Sequence, residues 1–181
     1  MTGRVTISLN ELHCEAQSEQ GGCEPYLFTS FYAVGSNGEV SVTSPKHADV
    51  REAFDNDIEA GTTLPVPQEI GQCELPGDGK MGVVALVIDE DAGRIIAVDK
   101  AHDAFHQGID SQLREKGEVD CASLLSAIKG AIHGTFDYND LHRDQDDILG
   151  VAVHAISGHG PFEVHLGTSD EDRFILRGEA R

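Results

Sequence analysis

Three clusters of carboxylates are the groups in this chain best suited to chemistry. Glu15, Glu19 and Glu24 share one polar segment, Asp89-Glu90-Asp91 directly follows the apolar run 82–88, and Asp144-Gln145-Asp146-Asp147 directly precedes Ile148-Leu149-Gly150. Calcium takes about six to eight oxygen ligands, mostly carboxylates and carbonyls offered by flexible loops. Two carboxylates one residue apart in extended chain can face one ion, a geometry open to Asp89 and Asp91. Aspartates also gather in turns, where they bond their own backbone, and that reading competes at each cluster. An EF-hand is rejected: Asp137-Tyr138-Asn139 begins like one, but His142 stands where glycine is required.

Histidines offer a different chemistry. His102 and His106 are spaced to face one ion from a helix, and His142 could supply a third ligand to zinc. The pattern is H-D-A-F-H, however, without the glutamate that zinc peptidases use as general base. With 9 histidines in the chain, such a pair also arises by chance on a surface. No G-x-S-x-G elbow and no G-x-x-x-x-G-K-[ST] loop occurs. We therefore expect no hydrolase or oxidoreductase activity and no organic cofactor. Among the 4 cysteines no pair has C-x-x-C spacing. Cys14 and Cys23 flank one polar loop and could meet across it, although most cytoplasmic cysteines stay reduced.

The charge narrows the partners. Over 181 residues, 32 acidic side chains against 13 basic ones leave a formal net charge of −19. Such a field repels phosphate, so nucleic acid is an unsuitable partner and an anionic membrane is approached only through a bridging cation such as calcium. A solvated acidic surface alone would look the same. The first residues lack the apolar core of a signal peptide, and the longest strongly apolar stretch, Met81–Ile88, is too short to span a bilayer. A cytoplasmic location is the expectation.

These side chains must be held by elements the pattern reveals. Val5, Ile7 and Leu9 alternate with polar residues as a half-buried strand does. A polar loop over Glu15–Glu24 leads into the strand YLFTSFYAV, and Ser36-Asn37-Gly38 turns it into a hairpin with the next. Lys46–Asp57 is a candidate short helix; Pro65 and Pro67 make Thr62–Leu75 an irregular or edge segment. The run 82–88 is apolar on both faces, as a central strand should be. Ala101, Ala104, Phe105, Gly108, Ile109 and Leu113 paint one face of a helix over about Val98–Glu115, ended by Gly117. Asp120 caps a second helix bearing Cys121, Leu124, Leu125, Ile128, Ala131 and Ile132, with Gly134 placed for a C-terminal cap. This hairpin either packs on the rest of the molecule or buries a protein partner or second copy of the chain. Strand character returns at Ile148–Ile156, at Phe162, Val164 and Leu166, and at Phe174–Arg177. Strands, a helical pair and strands again predict one mainly β domain over 1–181, an antiparallel β-sandwich with a helical insertion at about 93–140.

Three short motifs make the chain resemble the C2 domain family. Glu24-Pro25-Tyr26 matches an acid and Pro-Tyr where the family's first calcium loop enters a strand. Val87-Ile88-Asp89-Glu90-Asp91 matches an apolar strand followed by Asp-x-Asp, and Asp146-Asp147-Ile148-Leu149-Gly150 matches a paired acid, two apolar residues and glycine. In the family the last two bracket a single calcium loop; here the helical pair separates them. The resemblance, which covers most of the chain outside Gly93–Asp140, implies a C2-like sandwich with a helical hairpin in its third loop. It implies calcium ligands among Glu24, Asp89, Asp91, Asp144, Asp146 and Asp147. Glu24 replaces the family's usual aspartate, and only Ser18 and Glu19 stand near the earlier loop-one aspartate. Asp55 and Asp57 are the candidates in loop two. Many C2-like domains bind no metal, so a metal-free interaction or self-association module using the hairpin is the alternative.

Overall fold

The computed structural model describes residues 4–18, 22–23, 25–45, 58–74, 78–89, 95–133, 148–167 and 172–181. Eight strands and two helices follow in order: β1 (Arg4–Ala16), β2 (Pro25–Val34), β3 (Val40–Thr43), β4 (Thr63–Glu74), β5 (Lys80–Asp89), α1 (Ile95–Lys116), α2 (Cys121–His133), β6 (Ile148–Ile156), β7 (Gly160–Leu166) and β8 (Arg173–Ala180). They form two four-stranded sheets, β4-β1-β8-β7 (sheet 1) and β3-β2-β5-β6 (sheet 2). Every pairing is antiparallel, so the expected sandwich with its helical insertion is the architecture observed.

In β1 the inward residues are Val5, Ile7, Leu9, Leu12 and Cys14. The phase change after Leu9 coincides with a register shift between Leu9 and Glu11, a bulge that moves the alternation by one residue. The strand runs through Ala16, so the polar loop starts later than the sequence suggested. β4 is an edge strand rather than irregular chain. Leu64, Val66 and Ile70 point into the core, while Pro65 and Pro67 point out. Proline lacks an N–H for the ladder, and an edge tolerates that. The outer face of sheet 1 is polar: Arg177 Nη1 donates to Glu11 at 2.6 Å, and its Nε to Glu163 at 2.8 Å.

Sheet 2 differs. All ten residues of β2 are buried, as are nine of the ten in β5. One face of the sheet meets sheet 1 through Leu27, Phe31, Val83, Ala85 and Val87. The other carries Tyr26, Phe28, Val84, Leu86 and Ile88, packed on Ala101, Phe105, Ile109, Leu113, Leu124 and Ile128 of the helices. The hairpin is thus a third layer, and Leu125 packs on the same cluster from its margin. Gly117, at φ 71°, closes α1, its N–H donating to Leu113 O at 2.9 Å. Gly38, at φ 80°, occupies the predicted turn between β2 and β3. The candidate helix Lys46–Asp57 and the Gly134 cap lie outside the described residues.

Candidate functional site

The strand registers bring several chain segments to one end of the sandwich. Asp89, the last residue of β5, pairs with Pro25, the first of β2, and its neighbour Ile88 pairs with Ile148, the first of β6. In sheet 1, Ala16 at the end of β1 pairs with Arg173 at the start of β8. The β1–β2 and β5–β6 connections therefore leave from adjacent positions, on the side where the β7–β8 connection arrives. Antiparallel pairing requires this: β2 begins where β5 stops, and β6 begins beside them both.

Of the six predicted ligands, Asp89 is described. It is only 2% exposed, which is unusual for a carboxylate at a strand end. Glu24, Asp91, Asp144, Asp146 and Asp147 lie outside the described residues, as do Asp55, Asp57 and His142. Among the described residues no three His, Cys, Asp or Glu side chains group so as to hold a metal ion. A buried carboxylate is the donor chemistry that calcium takes, but one carboxylate is far short of its ligand number. The remaining oxygens would have to come from the segments that leave these strand ends.

Asp172 was not among the carboxylates singled out from the sequence. Its Oδ1 accepts the backbone N–H of Ser18 at 2.9 Å and the Ser18 hydroxyl at 3.0 Å. Arg173 Nε lies 3.7 Å from Glu15 Oε2. These contacts tie the start of the β1–β2 connection to the β7–β8 connection. The signal available was the run Ser169-Asp170-Glu171-Asp172, as acidic as the clusters that were weighed.

Beneath this acidic end lie two thiols. Cys14 and Cys23 are 0% and 1% exposed, free rather than bonded, and in the core between the sheets. The Cys23 thiol hydrogen-bonds the Cys14 sulfur, which draws the Cys14 pKa below the ordinary thiol value against the opposing effects of burial and Asp172. Cys23 is pushed strongly upward, first by acting as donor, then by burial and by the charge of Asp89.

Neither a family model nor a curated protein matches the chain.

The histidine pair serves packing in this geometry. His102 Nε2 donates to Pro45 O at 2.7 Å, and its ring stands edge-on to Phe28 with centroids 5.2 Å apart. His106 Nδ1 lies 2.8 Å from Ser44 Oγ, which in turn bonds Ser30 Oγ. The two rings engage different partners at the β3 edge and anchor α1 there.

Proposed function

We propose that the acidic end of the sandwich binds calcium through carboxylates of the β1–β2 and β5–β6 connections, as a C2-like module does. The observation that carries this reading is the register Pro25–Asp89 beside Ile88–Ile148, which sets the exits of all three acidic segments side by side. Asp89 is the anchor ligand, and Glu24, Asp91, Asp144, Asp146 and Asp147 are the reservoir for the rest. With a formal charge of −19, carboxylates gathered at one end repel one another, and a divalent cation relieves that repulsion. Any membrane contact would run through the bound ion. No described helix is long and apolar enough to cross a membrane. The competing role for the hairpin, as an interaction surface, has less support, since its apolar stripe is spent on sheet 2.

A ligand that binds only the folded state raises stability by about 2.7 kcal/mol at one hundred times its dissociation constant. For a chain of this size each kcal/mol moves Tm by roughly 2–4 °C. Millimolar calcium should then raise Tm by roughly 5–10 °C if the dissociation constant is about ten micromolar, and magnesium should do less. The scan belongs in about 0.15 M sodium chloride, where general charge screening is already in place. Asp89→Asn and Asp147→Asn should each remove the calcium-specific shift. A flat response of the wild type, or an undiminished shift in both variants, sinks the calcium site.

A further inference from the structure

We propose that Cys14 and Cys23 are an oxidation site, a buried dithiol that hydrogen peroxide converts to an intramolecular disulfide bridging the β1–β2 connection. The inference needs no calcium and stands on a separate feature, the way one short turn holds both cysteines.

That turn is 58–62. Cys23 and Ile58 form an isolated antiparallel bridge, with N–H to O distances of 3.1 and 2.9 Å. Three residues on, the Gly61 N–H donates to Cys14 O at 2.7 Å, and Thr62 O, one further, accepts the Cys14 N–H at 2.9 Å. Gly61 sits at φ 92°, a conformation that side-chain-bearing residues rarely adopt, and the turn is closed by Thr62 N–H to Glu59 O at 3.0 Å. Both cysteines are thereby clamped by four backbone hydrogen bonds to opposite ends of one turn. Both side chains are buried in the one core cluster between the sheets, and each thiol is the first influence on the other's protonation. Second acceptors complete the arrangement, with Ala16 O 3.7 Å from Cys14 Sγ and Ile58 O 3.9 Å from Cys23 Sγ.

The other cysteines lack this placement. Cys73 Sγ faces Met81 Sδ at 3.9 Å, and Cys121 sits half-buried at the start of α2. Neither is set against another thiol in this way.

The Cys14 sulfur, as thiolate, attacks one oxygen of hydrogen peroxide; the O–O bond breaks and hydroxide leaves, taking up the Cys14 proton as water. Cys14 is now a sulfenic acid. The Cys23 sulfur attacks the Cys14 sulfur, the S–O bond breaks, and the second oxygen leaves with the Cys23 proton as water. Two thiols lose two electrons in all, and the two peroxide oxygens gain them. Peroxide is hardly larger than water, which suits a pair this deeply buried; a tripeptide disulfide would not reach it.

The test uses the full chain in a metal chelator, which removes any effect of calcium and of metal-catalysed oxidation. The protein is treated with hydrogen peroxide, quenched, alkylated in denaturant and cleaved after glutamate without reductant. Glu15 and Glu19 lie between the two cysteines, so this cleavage separates them. We expect a disulfide-linked pair of peptides carrying Cys14 and Cys23, and an intact mass lower by two hydrogens. A Tm higher by roughly 5–10 °C should accompany the bond and reverse with dithiothreitol. Cys23→Ser should abolish both the link and the Tm rise, leaving Cys14 to oxidise further to the sulfinic acid. Cys73→Ser combined with Cys121→Ser should change neither. Recovery of Cys14 and Cys23 as separate alkylated peptides, or joined to Cys73 or Cys121, overturns the proposal. So does a peroxide-induced Tm rise that survives Cys23→Ser. If Cys23→Ser does not fold, the peptide map of the wild type decides alone.

Discussion

The two sheets each hold four antiparallel strands, yet they solve different burial problems. Sheet 1 covers one face with its partner and leaves the other to water, so β1 alternates Val5, Thr6, Ile7, Ser8, Leu9. Sheet 2 is covered twice, by sheet 1 and by the helical pair, and β2 and β5 have no polar face. The difference teaches where the helices belong. An antiparallel strand that is apolar on both faces calls for a third layer, and the only amphipathic helices described, α1 and α2, supply it.

The sharpest way to break this comparison is to cut into each outer face separately. Phe105 is wholly buried between α1 and sheet 2, with its ring centroid 5.9 Å from that of Phe28. Phe105→Ala should destabilise by about 3–5 kcal/mol, lowering Tm by roughly 6–20 °C. Ser8→Ala, on the outer face of sheet 1, should stay within about 0.5 kcal/mol. Urea unfolding of both variants is the measurement. Similar costs for the two would mean that the helices do not form a structural layer in solution.

The face that the sheets share gives a smaller test with the opposite sign. Thr29, opposite Ala85, is 1% exposed, and its Oγ1 has no hydrogen-bond partner among the described residues. A buried, unsatisfied hydroxyl costs its desolvation, and valine keeps the shape without it. Thr29→Val should stabilise by about 1 kcal/mol and raise Tm by roughly 2–4 °C. A loss of stability instead would show that the hydroxyl is bonded in solution and that this face is not the dry interface described.

How much of this was legible varies with how local the cause is. The run 82–88 announced a strand buried on both faces, and the spacing of Ala101, Phe105, Ile109 and Leu113 announced the helix, because each signal is carried by neighbours in the chain. Pro65 and Pro67 left an irregular segment and an edge strand both open; the choice between them, with the prolines at the outward positions, depends on β4 having a single partner. Asp89 was legible as the acid ending an apolar run. Its 2% exposure was not, since that follows from what packs around it. Asp172 was invisible as a contact because Ser18 is 154 residues away in sequence. The cysteines were seen to flank one loop, but the turn 58–62 that aligns them comes from a distant segment.

The last test asks whether the helical layer answers to its own capping, and it turns on pH. Asp120 Oδ2 accepts the Ser123 N–H at 3.1 Å together with the Ser123 hydroxyl, and the Asp120 N–H donates to Gln112 Oε1 of α1 at 2.6 Å. One residue thus caps α2 and ties it to α1. The Ser123 hydroxyl first, and its N–H second, hold the Asp120 carboxyl below the usual carboxylate range. A depressed pKa means that the folded state prefers the ionised form. The stabilisation is therefore fully present above the unfolded value of about 3.9, and is lost as pH falls through the lower folded value. Asp120→Ala should accordingly lower Tm at neutral pH, with the difference from wild type narrowing as pH falls through the lower folded value. Taking the difference at each pH cancels the titration of the other acidic residues, which both proteins share. Asp120→Asn should retain part of the cap without the pH dependence, because its amide oxygen still accepts from Ser123. Amide exchange over 121–133 then distinguishes two outcomes. If exchange quickens there in Asp120→Ala while sheet 2 stays protected, the helices open as a separate unit and the double cover of sheet 2 is conditional. If both quicken together, helices and sheet unfold as one, and the buried pattern of β2 and β5 reflects a single cooperative core.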